Sequence, residues 1–274
     1  MILVCDIGNT NITAGLFRGE RLVYKTKFPI SKAGNGFPAV AGSRLLREEP
    51  FPARITFSQI EAIVICSVVP RALTSLKASF KSLRNIPVYI LGENITAPIK
   101  NLYARPKQVG QDRLVNAYAA SRLYGAPLVV IDFGTAVTLD VISKNREYLG
   151  GMILPGLELS LDALSARAAL LPKVKLERPK EFIGRDTKSS MLSGVVYGFA
   201  ALTDSLSQRI KKKIGGSAKV IGTGGNIKLM AKYCKNLDKI DPDLTLKGLN
   251  LIFRHYEGKK HRSNLSLADN GKIG

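Results

Sequence analysis

One pattern occurs twice in this chain and constrains its fold more than any other feature. Ile2–Cys5 is a short apolar run ending at Asp6-Ile7-Gly8-Asn9-Thr10. Strand character resumes over Asn11–Phe17, a turn falls at Gly19-Glu20, and Leu22 to Phe28 reads as a third strand. About half a chain later, Leu128–Ile131 ends at Asp132-Phe133-Gly134-Thr135, Val137–Ile142 continues as a strand, Asn145-Arg146 turns, and Tyr148 to Ile153 follows. Short apolar segments separated by turn residues are the mark of a β-meander. Its return predicts a duplicated half, with the boundary near 115–127.

What lies between the meanders sets the class. Ala62–Cys66 is a continuous apolar run that reads as a buried strand, Pro70 opens a helix to about Leu83, and Val88–Leu91 is a further strand. Strand–helix–strand alternation implies parallel pairing and an α/β protein. Residues 31–54 read as a surface loop rich in Gly, Pro and Ala, with a helical patch near Val40–Arg47. Helical patterns follow at 157–170 and 187–213, the second with Met191, Val195, Phe199, Leu202 and Leu206 at helical spacing. Ala218–Gly222 reads as a strand, Asn226–Lys235 and Leu244–Tyr256 as helices, and the chain beyond Gly258 as a basic tail.

With 45% apolar residues, the 274-residue chain can bury a core. No apolar run approaches the roughly 18 residues needed to span a bilayer, so no membrane role is expected. The N-terminus lacks the pattern of a signal peptide. Cys5, Cys66 and Cys234 are too scattered for a disulfide framework and read as reduced core thiols, which suits a cytoplasmic protein. The net charge of +20 is spread along the chain instead of forming one basic stripe with interleaved aromatics, so no nucleic-acid partner is expected. The clusters Lys211–Lys213 and Lys259–Arg262 read as a solvated helix end and a tail.

Several chemistries are excluded. There is no Walker A motif and no G-x-G-x-x-G after a strand. The only histidines are His255 and His261, which excludes a Ser-His-Asp triad or an HExxH site. Chemistry must rest on carboxylates, glycine-rich backbone and bound cations. An Asp-x-Gly-Asn-Thr turn suits phosphate: Gly8 lets backbone approach closely, Asn9, Thr10, Asn11 and Thr13 add donors, and Asp6 can hold the water shell of Mg²⁺ on ATP. The plainer reading is a hairpin whose Asp and Asn cap their own backbone. The second turn, with Asp132, Gly134 and Thr135, repeats the chemistry, and the two together would clamp a polyphosphate. Thr223-Gly224-Gly225 is a third glycine turn, placed to open a helix near an adenosine. Asp112 reads either as an N-cap paired with Arg113 or Arg105, or as a base for an attacking hydroxyl.

These residues resemble the type III pantothenate kinases, members of the acetate and sugar kinase, heat-shock chaperone and actin superfamily. The resemblance is carried by Asp6–Thr10, Pro106–Asn116, Ile131–Ala136, Leu149–Gly156, Leu164–Arg167 with Leu171-Pro172, Ile183–Thr187, Ser193-Gly194, Thr223–Gly225 and Asp243–Leu249. It extends from residue 1 to about 256. It implies duplicated ribonuclease-H-like, actin-like ATPase domains with mixed central sheets, at 1–120 and 121–258, followed by a tail at 259–274. It implies ATP binding by Asp6, Ile7, Gly8, Asn9, Thr10, Asn11, Ile12, Thr13 and Thr135, with Mg²⁺ accompanying ATP. Asp132 would bind a monovalent cation, K⁺ or NH₄⁺. Tyr103, Gly110, Gln111, Asp112, Arg113 and Thr187 would line the pantothenate pocket, with Asp112 as the proton acceptor. The product would be 4′-phosphopantothenate, the first intermediate of coenzyme A synthesis, made by a homodimer joined through the 187–210 helix. Ala168 stands where the family usually has Thr, the 31–54 loop is longer and richer in Gly and Pro than expected of the family, and the high positive charge and basic tail are not family features. The alternatives are a kinase of the same fold for another small hydroxylated acceptor, and a non-catalytic transcriptional accessory factor.

Overall fold

The computed structural model describes residues 1–30, 57–80 and 86–270. The loop expected at 31–54, its helical patch near Val40–Arg47 and the stretch that would carry the first helix past Phe80 lie outside these residues. In chain order the described elements are β1 (Ile2–Ile7), β2 (Asn11–Arg18), β3 (Arg21–Pro29), β4 (Ala62–Ser67), α1 (Pro70–Phe80), β5 (Val88–Ile90), β6 (Lys100–Asn101), α2 (Gln111–Tyr124), β7 (Leu128–Phe133), β8 (Ala136–Ile142), β9 (Glu147–Pro155), α3 (Leu157–Arg167), α4 (Thr187–Ile214), β10 (Lys219–Thr223), α5 (Ile227–Met230), β11 (Lys239–Ile240) and α6 (Leu244–Asn270). They group into two compact units. One draws on Met1–Pro98, Gly110–Val115 and Thr245–Gly274, the other on Ile99–Val109 and Asn116–Leu244. Both are thus assembled from separated stretches, where the sequence reading placed single boundaries at 120 and 258.

The first unit holds a sheet of order β3-β2-β1-β4-β5. β1 runs antiparallel to β2 and parallel to β4. Its near-continuous apolar run suits a strand covered on both faces. Leu3, Cys5 and Ile7 join Ile12, Ala14 and Leu16 of β2, with Ala72 and Leu76 of α1 packed against them. α6 packs closely on this sheet: a Cβ at Gly15 would lie 3.1 Å from the Leu246 side chain. β3 alternates exposed and half-buried residues and turns Arg21, Lys25 and Lys27 to water, as an edge strand should.

α6 corrects the expected tail. The helix runs to Asn270 and does not stop near Tyr256. Leu246, Leu249, Ile252 and Phe253 anchor it. Gly258 is helical, and a glycine inside a helix costs only about 1 kcal/mol relative to alanine, with no proline following to break it. The helix expected over Asn226–Lys235 is shorter than its pattern: only Ile227–Met230 is α-helical.

The second unit repeats the first. Its sheet has the order β11-β10-β7-β8-β9-β6. Read from β9 inward, β9-β8-β7-β10-β11 matches β3-β2-β1-β4-β5, with the same antiparallel meander and the same parallel partner for the central strand. The short β6, which the sequence reading missed, adds a parallel pair outside β9. Val129, Ile131 and Phe133 of β7 and Val137 and Leu139 of β8 form one core with Leu157 and Leu161 of α3 and with Met191, Leu192, Val195, Val196 and Ala200 of α4. Asp186 caps α4, its carboxylate accepting from the Ser189 backbone N–H at 2.9 Å.

Candidate functional site

The first aspartate–glycine turn is built by pairing. Ile7 opposes Ile12, so Gly8, Asn9, Thr10 and Asn11 form the loop, closed by the Gly8 N–H donating to the Asn11 carbonyl at 3.0 Å. The side chains of Ile7 and Ile12 are wholly buried in the core, so only their backbone remains for a ligand. Asn9 and Thr10 are exposed. Among the described residues, a Cβ at Gly8 would meet nothing nearer than the Asn11 carbonyl at 3.4 Å, an ordinary van der Waals contact. Asp6 pairs in register with Thr13 on β2 and with Cys66 on β4.

The same unit holds Gly110–Arg113. Asp112 is not the N-cap of its helix: α2 begins at Gln111, which puts Asp112 in the first turn, where the helix dipole favours a carboxylate. Its Oδ1 accepts from the Arg113 backbone N–H at 2.9 Å. Burial pushes the Asp112 carboxyl above its ordinary value, while the Arg113 N–H and guanidinium pull it back. A Cβ at Gly110 would sit 2.5 Å from Asp112 Oδ1, so a larger residue there would push this carboxylate out of its place. The Gln111 side chain packs over Gly92, which has φ +84°, and so braces the start of the helix. Cys66 lies close enough to both Asp6 and Asp112 for their charges to reinforce the upward push that burial gives its thiol. This places Asp6 and Asp112 in one neighbourhood.

The second turn is tighter. Phe133 opposes Val137, leaving Gly134, Thr135 and Ala136 in the loop, and the Gly134 N–H donates to the Ala136 carbonyl at 3.1 Å. Asp132 Oδ2 accepts from Asn116 Nδ2 at 3.1 Å. Gly224, at φ +96°, passes directly over this aspartate: a Cβ there would be 2.3 Å from Asp132 Oδ1 and 2.6 Å from the Phe133 nitrogen. Gly156 does the same to Thr135, whose carbonyl oxygen would be 2.2 Å away. The turn is therefore walled by the loops that follow β10 and β9. Thr135 itself is exposed.

Tyr103 lies between β6 and a 3-10 turn at Pro106–Gln108. Its ring rests over Gly150, 3.4 Å from where a Cβ would be, and its centroid is 6.5 Å from that of Tyr148. Thr187 is exposed at the first position of α4, after a loop in which Gly184 presses against the backbone of Ser189 and Ser190. Asn116 and Gly156 were given no role by the sequence reading. Asn116 had a legible signal, being a polar residue four positions after Asp112 and so on the same face of the helix. Among the described residues no cluster of His, Cys, Asp and Glu could by itself hold a metal ion, and no helix is long and apolar enough to cross a membrane.

Comparison with known proteins adds the following. Residues 2–209 match the family model described as type III pantothenate kinase. The chain is 40% identical over 254 residues to a type III pantothenate kinase of Halalkalibacterium halodurans, covering 93% of this chain and 99% of that one. It is 38% identical over 264 residues to the protein of that name from Agathobacter rectalis, covering 94% and 99%. Among solved structures it is similar to a Baf family transcriptional activator from Campylobacter jejuni, with a TM-score of 0.58 and 22% identity over 93% of this chain and 99% of that one. It is also similar to a 2-dehydro-3-deoxygalactonokinase from Sinorhizobium meliloti, with a TM-score of 0.53 and 12% identity over 93% and 99%. At these identities the structural likenesses speak to fold alone. That fold is α/β, with duplicated ribonuclease-H-like, actin-like ATPase domains and mixed sheets.

Proposed function

The chain belongs to the type III pantothenate kinase family and phosphorylates pantothenate with ATP and a divalent metal, feeding coenzyme A synthesis; we propose that Asp112 is its catalytic base and that the two aspartate–glycine turns divide the remaining work. The observation that carries this is the Asp112 carboxyl, held in the first turn of α2 with its proton affinity raised by burial. It accepts the proton of the pantothenate hydroxyl as that oxygen attacks the γ-phosphorus. The bond from the γ-phosphorus to the bridging oxygen breaks, and ADP leaves. Phosphoryl transfer asks mainly for alignment and charge neutralisation, so one carboxylate on the nucleophile suffices.

In this reading Asp6, Ile7, Gly8, Asn9, Thr10, Asn11, Ile12 and Thr13 hold the ATP phosphates, with Asp6 toward Mg²⁺ and Thr135 as a further ATP contact. Arg113 holds the pantothenate carboxylate, a role suited to a guanidinium. Tyr103, Gly110, Gln111 and Thr187 complete the acceptor pocket. Asp132 holds a monovalent cation, K⁺ or NH₄⁺. The cradle that Gly224 leaves over its carboxylate, which any Cβ would fill, supports this. Bound there, the cation supplies positive charge beside the second turn.

The protein acts in the cytoplasm as a homodimer. Supporting the dimer is an apolar groove of about 430 Å³ along α4, lined by Leu164, Met191, Val195, Phe199 and Leu202. Among the described residues nothing lies within 4 Å of where a Cβ on Gly194 or Gly198 would be, so a second helix could approach closely. The test is release of ADP from ATP with and without pantothenate, in potassium and in its absence. Pantothenate-dependent ADP that rises with potassium supports the reading. ATP turnover on a sugar but not on pantothenate would replace the acceptor.

A further inference from the structure

We propose that Tyr148, anchored by the buried carboxylate of Asp140, is a positioning residue that sets Tyr103 against the pantothenate acceptor. The inference rests on the reading of Tyr103 as part of the acceptor pocket.

Asp140 and Tyr148 are both completely out of water. On β8, Val137 and Leu139 enter the core shared with α3 and α4, and alternation along the strand turns Thr138 and Asp140 to the opposite face. There the Tyr148 hydroxyl donates to Asp140 Oδ1 at 2.8 Å and Thr138 Oγ1 donates to Oδ2 at 3.2 Å. A phenol donating to a carboxylate makes one of the stronger hydrogen bonds available to side chains, and it fixes the rotation of the ring that carries it.

The backbone shows what the fixed ring is for. Val141 of β8 pairs with Gly150, but Ile142 pairs with Tyr148, so the register shifts and Leu149 is an extra residue on β9. Such a bulge re-aims the side chains beside it. Gly150 takes φ +127°, which L side chains rarely adopt, and its bare Cα is the surface on which the Tyr103 ring lies. Tyr103 is therefore bounded by Gly150 and by the tilted ring of Tyr148. Two apolar side chains could fill the space of Asp140 and Tyr148 without desolvating a carboxylate, so filling the core does not call for this pair. What the polar pair adds is a single orientation of Tyr148, and through it of Tyr103.

The test is calorimetric titration of pantothenate and of a non-hydrolysable ATP analogue into the full-length protein and its variants. Tyr148→Phe is expected to weaken pantothenate binding about tenfold and leave the ATP analogue within about twofold. In a Tyr103→Ala background, Tyr148→Phe should produce no further loss, because residues acting through one another are not additive. Asp140→Asn, which keeps an acceptor for the hydroxyl, serves as the second variant and should weaken pantothenate by only about threefold. Unchanged pantothenate affinity in Tyr148→Phe, equal weakening of both ligands, or additive losses in the double variant would overturn the proposal. A wild-type protein that binds no pantothenate removes the acceptor reading and this inference together, before any variant is compared.

Discussion

The two aspartate–glycine turns occupy equivalent places in equivalent sheets, yet their surroundings differ. The first has four loop residues, and among the described residues a Cβ at Gly8 would make only an ordinary 3.4 Å contact; the second has three and is walled by Gly156 and Gly224. Asp6 shares its neighbourhood with Asp112, whereas Asp132 is held by Asn116 and covered by Gly224. The same scaffold occurs twice, and the residues around each copy make the two turns different, as the proposed division of tasks requires. An open, donor-rich loop suits a ligand that comes and goes with every turnover. A closed cradle around one carboxylate suits an ion that stays.

Substitutions can break this comparison at either turn. The largest effect is expected in the first unit. Asp112→Asn should lower kcat by about 10²–10⁴-fold in a coupled ADP assay, the usual worth of a positioned base. Its thermal stability should not fall. The raised Asp112 carboxyl means the folded state binds more protons than the unfolded one, so this group costs stability as pH rises through that window, and the amide removes the cost. Wild-type turnover in this variant would end the role. The same shift fixes the pH profile. Activity needs the carboxylate, so kcat should fall as pH drops through a pKa above the ordinary 3.8, and Asp112→Asn should lose that acid limb.

Next in size is Gly224→Ala, which forces a side chain into a left-handed backbone and against Asp132. It should cost about 1–3 kcal/mol in denaturant unfolding and blunt the response to potassium. Gly8→Ala is the smallest. With only a 3.4 Å contact to absorb, it should leave the melting temperature unchanged and raise KM for ATP by roughly threefold. If Gly8→Ala unfolded the protein while Gly224→Ala did not, the open and closed assignments would have to be exchanged. On α4, Gly198→Arg should convert dimer to monomer in sedimentation velocity without changing the fold.

Much of this was legible in the sequence because it is local. Apolar runs ending in Asp-x-Gly marked β1 and β7, their meanders followed within thirty residues, and the spacing of Met191, Val195, Phe199 and Leu202 marked α4. Asp112 was legible as a charged residue opening a helix, although it lies within the first turn and not at the cap. What was not legible depends on residues far apart in the chain. Nothing near Gly224 says that it lies on Asp132, and nothing near Gly156 says that it abuts Thr135. β6 has two residues and no pattern to detect. The end of α6 was misread because Gly258 looks like a stop, and a single glycine is too weak a breaker when buried leucines hold the preceding turns.

The most direct test of the division between the turns is a potassium titration of pantothenate-dependent ADP release in wild type and Asp132→Asn, with pantothenate and ATP saturating. Potassium should activate the wild type. Asp132→Asn should be slower, on the order of tenfold, and flat in potassium, with no loss of ATP affinity. An Asp132→Asn variant that keeps the full potassium response, or loses ATP binding instead, would contradict the account.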